Sequence, residues 1–287
     1  MRSAVRPRRS ALYMPAANTR ALEKARELAA DVLIFDLEDA VAPDAKPQAR
    51  QNAVGAARSK AYGRREIVIR CNGLATEWGR EDVTAIAGSG ADAVLVPKLE
   101  SARDVLDIVA LLDASGAPAG MSVWGMMETP RGMLHAEAIA TASPRLAGLI
   151  MGTNDLAKDM RAQHTPMRLP MITALGLTML AARAAGLTIL DGVYNDIRDE
   201  EGFRAQCRQG VELGFDGKTL IHPSQVGPCN EIFAPTAEEL VQARRMVEAF
   251  DAARAAGKGV VTLDGRMIEN LHVEEARRRI ALAEAIA

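Results

Sequence analysis

Carboxylate side chains stand at or just after several short apolar segments of this 287-residue chain. The set consists of Asp36, Glu38, Asp39, Glu128, Asp155 and Asp191. Carboxylates that share one space raise each other's pKa unless a cation joins them. Because the set is rich in oxygen and holds no cluster of His or Cys, it favours a hard cation, Mg²⁺ or in its place Mn²⁺.

Within this set, Glu128 and Asp155 are the predicted metal ligands, since Mg²⁺ is usually held by one or two protein carboxylates together with waters and substrate oxygens. Glu38 and Asp39 are then expected to orient the waters around the cation. The alternative for any one of these residues is a helix N-cap, and Asp155 precedes a helix-like segment. That alternative is weaker for Glu128, which lies between WGMM and a proline.

Three basic side chains lie near the ends of predicted strands. Arg70 ends EIVIR, where a charge is costly unless it is paired or used. It is predicted to bind a carboxylate or stabilise an enolate oxygen, with a salt bridge to Asp36 or Glu38 as the alternative. Lys98 and Lys218 raise a rival mechanism, a Schiff base in a metal-free aldolase, but ordinary ion pairing and the nearby carboxylates favour the metal.

The elements that must position these groups alternate along the chain. Eight apolar, strand-like segments are predicted at Ser10–Pro15, Val32–Leu37, Glu66–Arg70, Ala93–Val96, Ser122–Met127, Ala147–Met151, Leu187–Leu190 and Gly217–Ile221. Helix-like segments separate them, among them Thr19–Ala30, Ser101–Asp113, Ile172–Ala185 and Glu200–Leu213. This alternation predicts an α/β fold, a (β/α)₈ TIM barrel with its active groups at the carboxyl ends of the strands. An open doubly wound sheet is the competing fold, but no GxGxxG follows the first strand.

The chain continues beyond the eighth unit. Residues 1–230 are assigned to the barrel and residues 231–287 to a C-terminal helical extension. The extension holds a helix-like segment at Thr236–Ala256, a hairpin-like GKGVVTLDGRMIE and a last charged helix. The barrel closes without the extension, and a tail of this kind is expected to cover a neighbour's active site or to build an oligomer.

Composition excludes several classes of function. The net charge is −2, which gives no reason to expect a nucleic acid as partner. Three cysteines without a paired spacing indicate a reducing compartment rather than a disulfide scaffold. We find no long apolar run and no signal peptide, so no membrane partner and a cytoplasmic location are expected.

Seven segments together resemble a known family. They are RRSALYMPAANTRALEKA, DVLIFDLEDAV, EIVIRCNG, AVLVPKLES, WGMMETPRGM, GTNDLAKD and FDGKTLIHPSQV, which keep their order between about residues 9 and 269. The chain is similar to the citrate lyase beta-subunit family, within the malyl-CoA lyase and HpcH/HpaI aldolase superfamily. Seven motifs in one order are far more specific than any one of them.

The resemblance implies a TIM barrel with Glu128 and Asp155 as Mg²⁺ ligands and Arg70 on the oxo-acid fragment. Glu38 and Asp39 support the waters around the metal. Backbone amides near Glu128–Thr129 and in Gly152–Asp155 bind the oxo-acid carboxylate, which adds four substrate-binding residues: Thr129, Gly152, Thr153 and Asn154. Members form trimers or hexamers in which a C-terminal segment reaches a neighbour's site.

One departure from the family pattern matters for the chemistry, whereas Pro15-Ala16 in place of the usual PG is a milder one. Lyases of the family that use CoA esters carry an Asp in a C-terminal MID-like motif, where it acts as acid or base on the acetyl carbon. This chain has Met267-Ile268-Glu269. The longer side chain keeps the carboxylate but moves it by about 1.5 Å, which is enough to alter chemistry that depends on placement.

The expected function is therefore a Mg²⁺-dependent carbon–carbon lyase. It would cleave a short 3-hydroxyacyl-CoA, such as (S)-citramalyl-CoA or malyl-CoA, into acetyl-CoA and a 2-oxo acid, with Glu269 protonating the enolate and Arg9 near a CoA phosphate. Four alternatives stay open: a malyl-CoA thioesterase, a citryl thioester lyase subunit, a metal-dependent aldolase on free hydroxy-keto acids, and a non-enzymatic binding subunit.

Overall fold

A closed barrel of parallel strands forms the larger part of the molecule. The computed structural model describes residues 5–257 and 259–287. The barrel strands are β1 (Ser10–Pro15), β2 (Val32–Asp36), β3 (Glu66–Arg70), β4 (Ala93–Val96), β5 (Ser122–Met127), β6 (Leu146–Met151), β7 (Thr188–Asp191) and β8 (Gly217–Leu220). Each pairs in parallel with the next, and β8 pairs with β1. The predicted TIM barrel is confirmed, and every strand begins and ends within one residue of its predicted bounds.

Helices cover the barrel between its strands. They are α1 (Thr19–Lys24), α2 (Lys46–Arg58), α3 (Gly79–Ala87), α4 (Ala102–Ala114), α5 (Pro130–Leu134), α6 (Ala136–Ala140), α7 (Thr153–Met160), α8 (Ile172–Ala184), α9 (Glu200–Leu213) and α10 (Val226–Ile232). Among the helices of the described residues, not one combines the length and the apolar character that a membrane span requires.

The first helix is shorter than predicted. Sequence periodicity favours a helix over Thr19–Ala30, but α1 ends at Lys24 and is followed by a 3₁₀ turn at Ala25–Glu27. Leu28 then adopts an extended conformation, and its carbonyl accepts a hydrogen bond from Arg65 Nε at 2.7 Å. The long-range contact with the segment before β3 thus ends the helix where helix propensity alone would continue it.

Apolar side chains fill the barrel interior. Ile34, Val68, Leu95, Trp124 and Ile150 come from five strands and belong to one buried cluster. The strand register sets the height of the polar residues that follow this core, and it pairs Asp36 of β2 with Arg70 of β3. The carboxyl ends of the strands therefore carry the charged residues that the sequence places there.

Among the described residues, a second compact unit comprises Glu231–Ala287 together with residues 5–7. It contains α11 (Ala237–Ala255), a hairpin of β9 (Val261–Leu263) and β10 (Arg266–Ile268), and α12 (Asn270–Ile286). Asp264 and Gly265 both have positive φ, as a tight two-residue hairpin turn requires. Phe250, Ile268 and Val273 form the small core of this unit.

Candidate functional site

Arg70 is fixed at the carboxyl end of β3 by a two-pronged ion pair. Its Nε and Nη2 donate to the two carboxylate oxygens of Asp36 at 2.6 and 2.7 Å. The guanidinium also lies over the ring of Tyr13, with Cζ 4.9 Å from the ring centroid. Because one edge of the guanidinium is held in this way, its Nη1 has a defined direction.

That third nitrogen faces the acidic residues after β2. Arg70 Nη1 is 2.7 Å from Glu38 Oε2 and 3.6 Å from Asp39 Oδ2. The salt bridges that the sequence offers as the alternative for Arg70 are thus present, and they do not exclude a role on a ligand. They hold a largely buried positive charge beside the predicted metal ligands.

Lys98 joins three carboxylates in the same place. Its backbone N–H donates to Glu128 Oε1 at 2.8 Å. Its Nζ lies 3.6 Å from Asp155 Oδ1 and 3.9 Å from Glu38 Oε1. Both predicted metal ligands and Glu38 are therefore within reach of one residue, although they come from the segment after β2, the segment after β5 and the start of α7.

Two carboxylates of this cluster, Glu128 and Glu38, hold protons more tightly than usual. Burial, reinforced by the charge of Glu38, raises the pKa of Glu128 to about 8. Burial also raises the pKa of Glu38 to about 7, with Arg70 opposing that change and Asp39 adding to it. The protein's own cations therefore do not fully compensate these charges, which is the condition in which a carboxylate cluster binds a metal ion.

Gly152 makes room for one of the metal-ligand candidates. A Cβ at this position would lie 2.3 Å from Glu128 Oε2 and 2.4 Å from Glu128 Cβ. Its amide donates to Met127 O at 2.9 Å. Gly152 thus contributes the absence of a side chain beside Glu128, and its predicted contact with a substrate carboxylate stays a prediction.

The oxygen donors present fit Mg²⁺. In the described part of the chain no three His, Cys, Asp or Glu side chains are grouped to enclose a metal by themselves. Glu128 and Asp155 instead offer two carboxylates, of which Glu128 is buried and Asp155 is about a quarter exposed. That arrangement suits an ion that keeps waters and shares oxygens with a substrate. Asp155 lies in the first turn of α7, whose N-cap is Gly152, so it does not cap that helix.

A buried lysine that the sequence does not single out supports Glu38. Lys46 Nζ, at the start of α2, donates to the carbonyls of Leu37 and Glu38 at 2.9 Å each and to Asn72 Oδ1 at 2.7 Å. Asn72 in turn donates to Asp82 Oδ2 at 2.6 Å. This chain of contacts ties the segment after β2 to the segment after β3.

The other predicted substrate-binding residues lie around the same end of the barrel. Thr129 is buried and caps α5, since its Oγ1 accepts from Gly132 N at 3.1 Å. Thr153 and Asn154 form the first turn of α7. Asn154 exchanges two side-chain hydrogen bonds with Asn195 of the loop after β7, at 2.8 and 3.1 Å. Asn195 thus lies next to the site, although no sequence pattern indicated it as a site residue.

Arg9 lies at the opposite end of the barrel. It immediately precedes β1, and its guanidinium pairs with Asp31 at 2.8 Å, just before β2. Arg8 is held there too, by Glu66 at the start of β3 and Thr188 at the start of β7. The charge of Arg9 is therefore paired at the amino ends of the strands, and its predicted contact with a CoA phosphate stays a prediction.

Asp191 and Lys218 form a separate, fully buried ion pair. Lys218 Nζ lies 3.0 Å from Asp191 Oδ2 and 2.6 Å from Gln206 Oε1, and Arg168 Nη1 lies 2.6 Å from Asp191 Oδ1. Although burial opposes it, these two cations hold the pKa of Asp191 below its usual range. Asp191 is therefore compensated within the protein, and Lys218 is not open to a substrate carbonyl as a Schiff base requires.

Glu269 belongs to the second unit. It directly precedes α12 and is half-buried, and its backbone N–H donates to His272 Nδ1 at 3.1 Å. Its predicted role as an acid or base on the substrate stays a prediction.

Solved structures similar to this chain share the barrel and carry ligands. The protein CitE from Mycobacterium tuberculosis, in complex with magnesium, acetoacetate and coenzyme A, has a TM-score of 0.78 at 30% identity. The match covers 96% of this chain and 97% of that one. The citrate lyase beta subunit of the same organism, complexed with oxaloacetate and magnesium, has a TM-score of 0.67 at 31% identity and covers 79% and 96% of the two chains.

Characterised relatives cover almost the whole chain. A (3S)-malyl-CoA thioesterase of Cereibacter sphaeroides is 52% identical over 281 residues, which is 98% of this chain and 96% of that protein. The citrate lyase subunit beta of Escherichia coli is 38% identical over 284 residues, or 97% and 94%. The family model described as HpcH/HpaI aldolase/citrate lyase matches residues 9–223. With this match over most of the barrel, the chain belongs to the HpcH/HpaI aldolase/citrate lyase family.

Proposed function

We propose that this protein is a Mg²⁺-dependent enzyme that hydrolyses a short 3-hydroxyacyl-CoA thioester of the malyl-CoA type. The observation that carries the proposal is the 52% identity, over 98% of the chain, to proteins named (3S)-malyl-CoA thioesterase. The carbon–carbon lyase expected from the sequence becomes the second candidate. It is supported by the family and by the relatives named citrate lyase subunit beta.

Glu128 and Asp155 would hold the cation in this proposal. Magnesium in the complexes of CitE supports the choice of metal, and Mn²⁺ prefers the same oxygen ligands. Bound there, Mg²⁺ would supply a Lewis acid and positive charge for the oxygens of the substrate. Glu38 and Asp39 would orient the polar groups around it.

The remaining residues bind and orient the substrate. Arg70, held by Asp36, would direct Nη1 toward a carboxylate or a developing oxyanion. Thr129 and the first-turn residues Thr153 and Asn154 would line the side where helix N-termini offer backbone N–H groups. In hydrolysis a water O–H bond breaks, its oxygen bonds to the thioester carbon, and the C–S bond breaks to release the protonated thiol.

We also propose that the C-terminal extension, residues 231–287, covers the active site of a neighbour in a homotrimer or hexamer. Glu269 would then act as acid or base on a substrate held by another chain. The partners in this proposal are a CoA thioester and a 2-oxo or hydroxy acid, and the location is cytoplasmic. CitE in complex with coenzyme A and acetoacetate supports this class of ligand.

One assay separates the two candidate reactions. Purified protein is given (3S)-malyl-CoA or (S)-citramalyl-CoA, with Mg²⁺ or with EDTA, and free thiol, malate, citramalate, acetyl-CoA, glyoxylate and pyruvate are measured. Hydrolysis yields free thiol and the intact hydroxy acid, malate or citramalate, in equal amounts without acetyl-CoA, whereas the lyase yields acetyl-CoA with glyoxylate or pyruvate. Turnover that persists in EDTA would rule out the metal mechanism.

Matched variants test whether the reaction takes place in the proposed site. Glu128→Gln and Asp155→Asn should abolish metal-dependent turnover, because each removes a charged ligand. Asp107→Asn is the control, since Asp107 is paired with Arg103 on the outer surface of α4. If Glu128→Gln retains full activity, the metal site lies elsewhere.

A further inference from the structure

Lys98 has a backbone conformation that its residue type does not favour. Its φ is +51°, in the left-handed region that side chains with a Cβ rarely adopt. Glycine would adopt this conformation without strain and would still offer its N–H to Glu128. Lysine at this position adds an ammonium group that glycine would not supply.

The ammonium group of Lys98 lies beside two carboxylates of the proposed metal site. It is 3.6 Å from Asp155 and 3.9 Å from Glu38, and the side chain is 48% exposed. The Arg70 guanidinium is already engaged with Asp36 on one edge and Glu38 on the other. Lys98 is thus the flexible cation beside the metal ligands, whereas Arg70 is the fixed one.

A divalent ion and this ammonium would share the same oxygens. Two cations cannot both lie against one small group of carboxylates without strong repulsion. We propose that Lys98 is an internal counter-cation: its ammonium group lies in the carboxylate cluster in the metal-free protein and must move out when the metal binds. This inference rests on the proposed Mg²⁺ site. The exposure of Lys98 and its long side chain allow that movement toward solvent or toward an anionic substrate.

The direction in which a substitution of Lys98 changes the metal affinity distinguishes this role from a structural one. A substitution that merely disturbs the site weakens metal binding, whereas loss of a competing charge strengthens it. Lys98→Gln should therefore lower the dissociation constant for Mn²⁺ roughly five- to tenfold, as expected for removing one unit charge a few ångströms from the ion. Lys98→Arg keeps the charge and should stay close to the wild-type value.

Lys60 provides a matched control. It has φ +52°, and its Nζ donates to Gly90 O at 2.5 Å, in the connections that lead into β3 and β4. Lys60→Gln makes the same chemical change in the same backbone conformation, away from the carboxylates. It should leave the Mn²⁺ affinity unchanged.

The experiment is calorimetric titration of Mn²⁺ into the EDTA-stripped full-length protein without substrate, at neutral pH. Circular dichroism and thermal unfolding check that each variant is folded. Tighter binding in Lys98→Gln, with Lys98→Arg and Lys60→Gln near wild type, supports the inference. Equal or weaker binding by folded Lys98→Gln overturns it while the Mg²⁺ proposal stands. If the wild-type protein binds no Mn²⁺, both fall together.

Discussion

At the scale of single residues, the site depends on where each charge finds its partner. Arg70 is held by Asp36 and presents one nitrogen to Glu38. A buried guanidinium with this geometry is not interchangeable with an ammonium, which lacks the planar pair of donors. Arg70 and Lys98 are both cations beside the same carboxylates, but Arg70 is buried and held by ion pairs, whereas the Lys98 side chain is half exposed.

Arg70→Lys should reduce kcat/KM by about 10²- to 10³-fold, since a lysine cannot hold both oxygens of Asp36 and still direct a donor at the substrate. Steady-state kinetics with the thioester substrate at saturating Mg²⁺ measures the loss. Arg103→Lys, on the exposed face of α4, is the control. Activity within twofold of wild type would show that Arg70 has only a structural role.

The raised pKa values of Glu128 and Glu38 predict how metal-free stability depends on pH. Their folded values of about 8 and about 7 lie above the ordinary value of 4.5, so the folded state binds more protons than the unfolded state. This contribution to stability is present below pH 4.5 and is lost as the pH rises through 7 and 8.

In EDTA, the midpoint temperature of thermal unfolding should therefore decrease as the pH rises from 6 to 8, the range that includes these pKa values. Glu128→Gln cannot ionise, so its midpoint should fall less over the same range. Adding Mg²⁺ should restore wild-type stability most at the higher pH, because the metal binds the ionised form. Parallel pH profiles for wild type and Glu128→Gln would contradict the assignment.

At the scale of elements, the connection between β6 and α7 and the start of α2 determine the shape of the site. Gly152 lets the end of β6 pass the Glu128 side chain, and Lys46 fastens the segment after β2. Gly152 lies against the Glu128 carboxylate, and Lys46 holds the backbone that carries Glu38. Their effects are therefore testable without altering any carboxylate.

Gly152→Ala should displace Glu128, since the added methyl would lie 2.3 Å from its Oε2. We expect at least tenfold weaker Mn²⁺ binding by calorimetry, a factor that corresponds to about 1.4 kcal/mol. Gly176→Ala in α8 is the control, because no atom lies within 4 Å of its added Cβ. It should stabilise the protein by ~0.5–1 kcal/mol, as expected inside a helix. Unchanged binding in Gly152→Ala would show that Glu128 can move without loss.

Lys46→Met should destabilise the protein by about 1–3 kcal/mol, since it leaves buried oxygens of Leu37, Glu38 and Asn72 without their donor. Urea unfolding in EDTA measures the loss. Lys158→Met, in the last turn of α7, is the comparison, because that side chain is exposed. Equal stability of the two variants would mean that water replaces the Lys46 ammonium.

At the scale of the whole molecule, the chain consists of a complete barrel and a smaller C-terminal unit. The barrel brings together the proposed metal ligands, and the smaller unit carries Glu269. If the smaller unit serves a neighbouring barrel, two variants that are inactive for different reasons should complement each other.

Coexpressed Glu128→Gln and Glu269→Gln chains should regain activity, reaching about a quarter of the wild-type value per site if mixing is random and each site uses two chains. Each variant alone should be inactive or nearly so. The assay is thioester turnover by the copurified oligomer. Failure to regain activity in a verified mixed oligomer would place both residues in a site formed by one chain.

The sequence by itself predicted the barrel, its strands to within a residue, and the convergence of Glu38, Glu128 and Asp155 with Arg70. It could do so because parallel strands with regular helical connections bring all carboxyl ends to one side. Tertiary structure alone decided which charges remain uncompensated there. Asp191 is neutralised by Arg168 and Lys218 and Arg9 is paired with Asp31, whereas Lys98 turns into the carboxylate cluster. These pairings join residues far apart in the chain, so local patterns of residue type do not encode them.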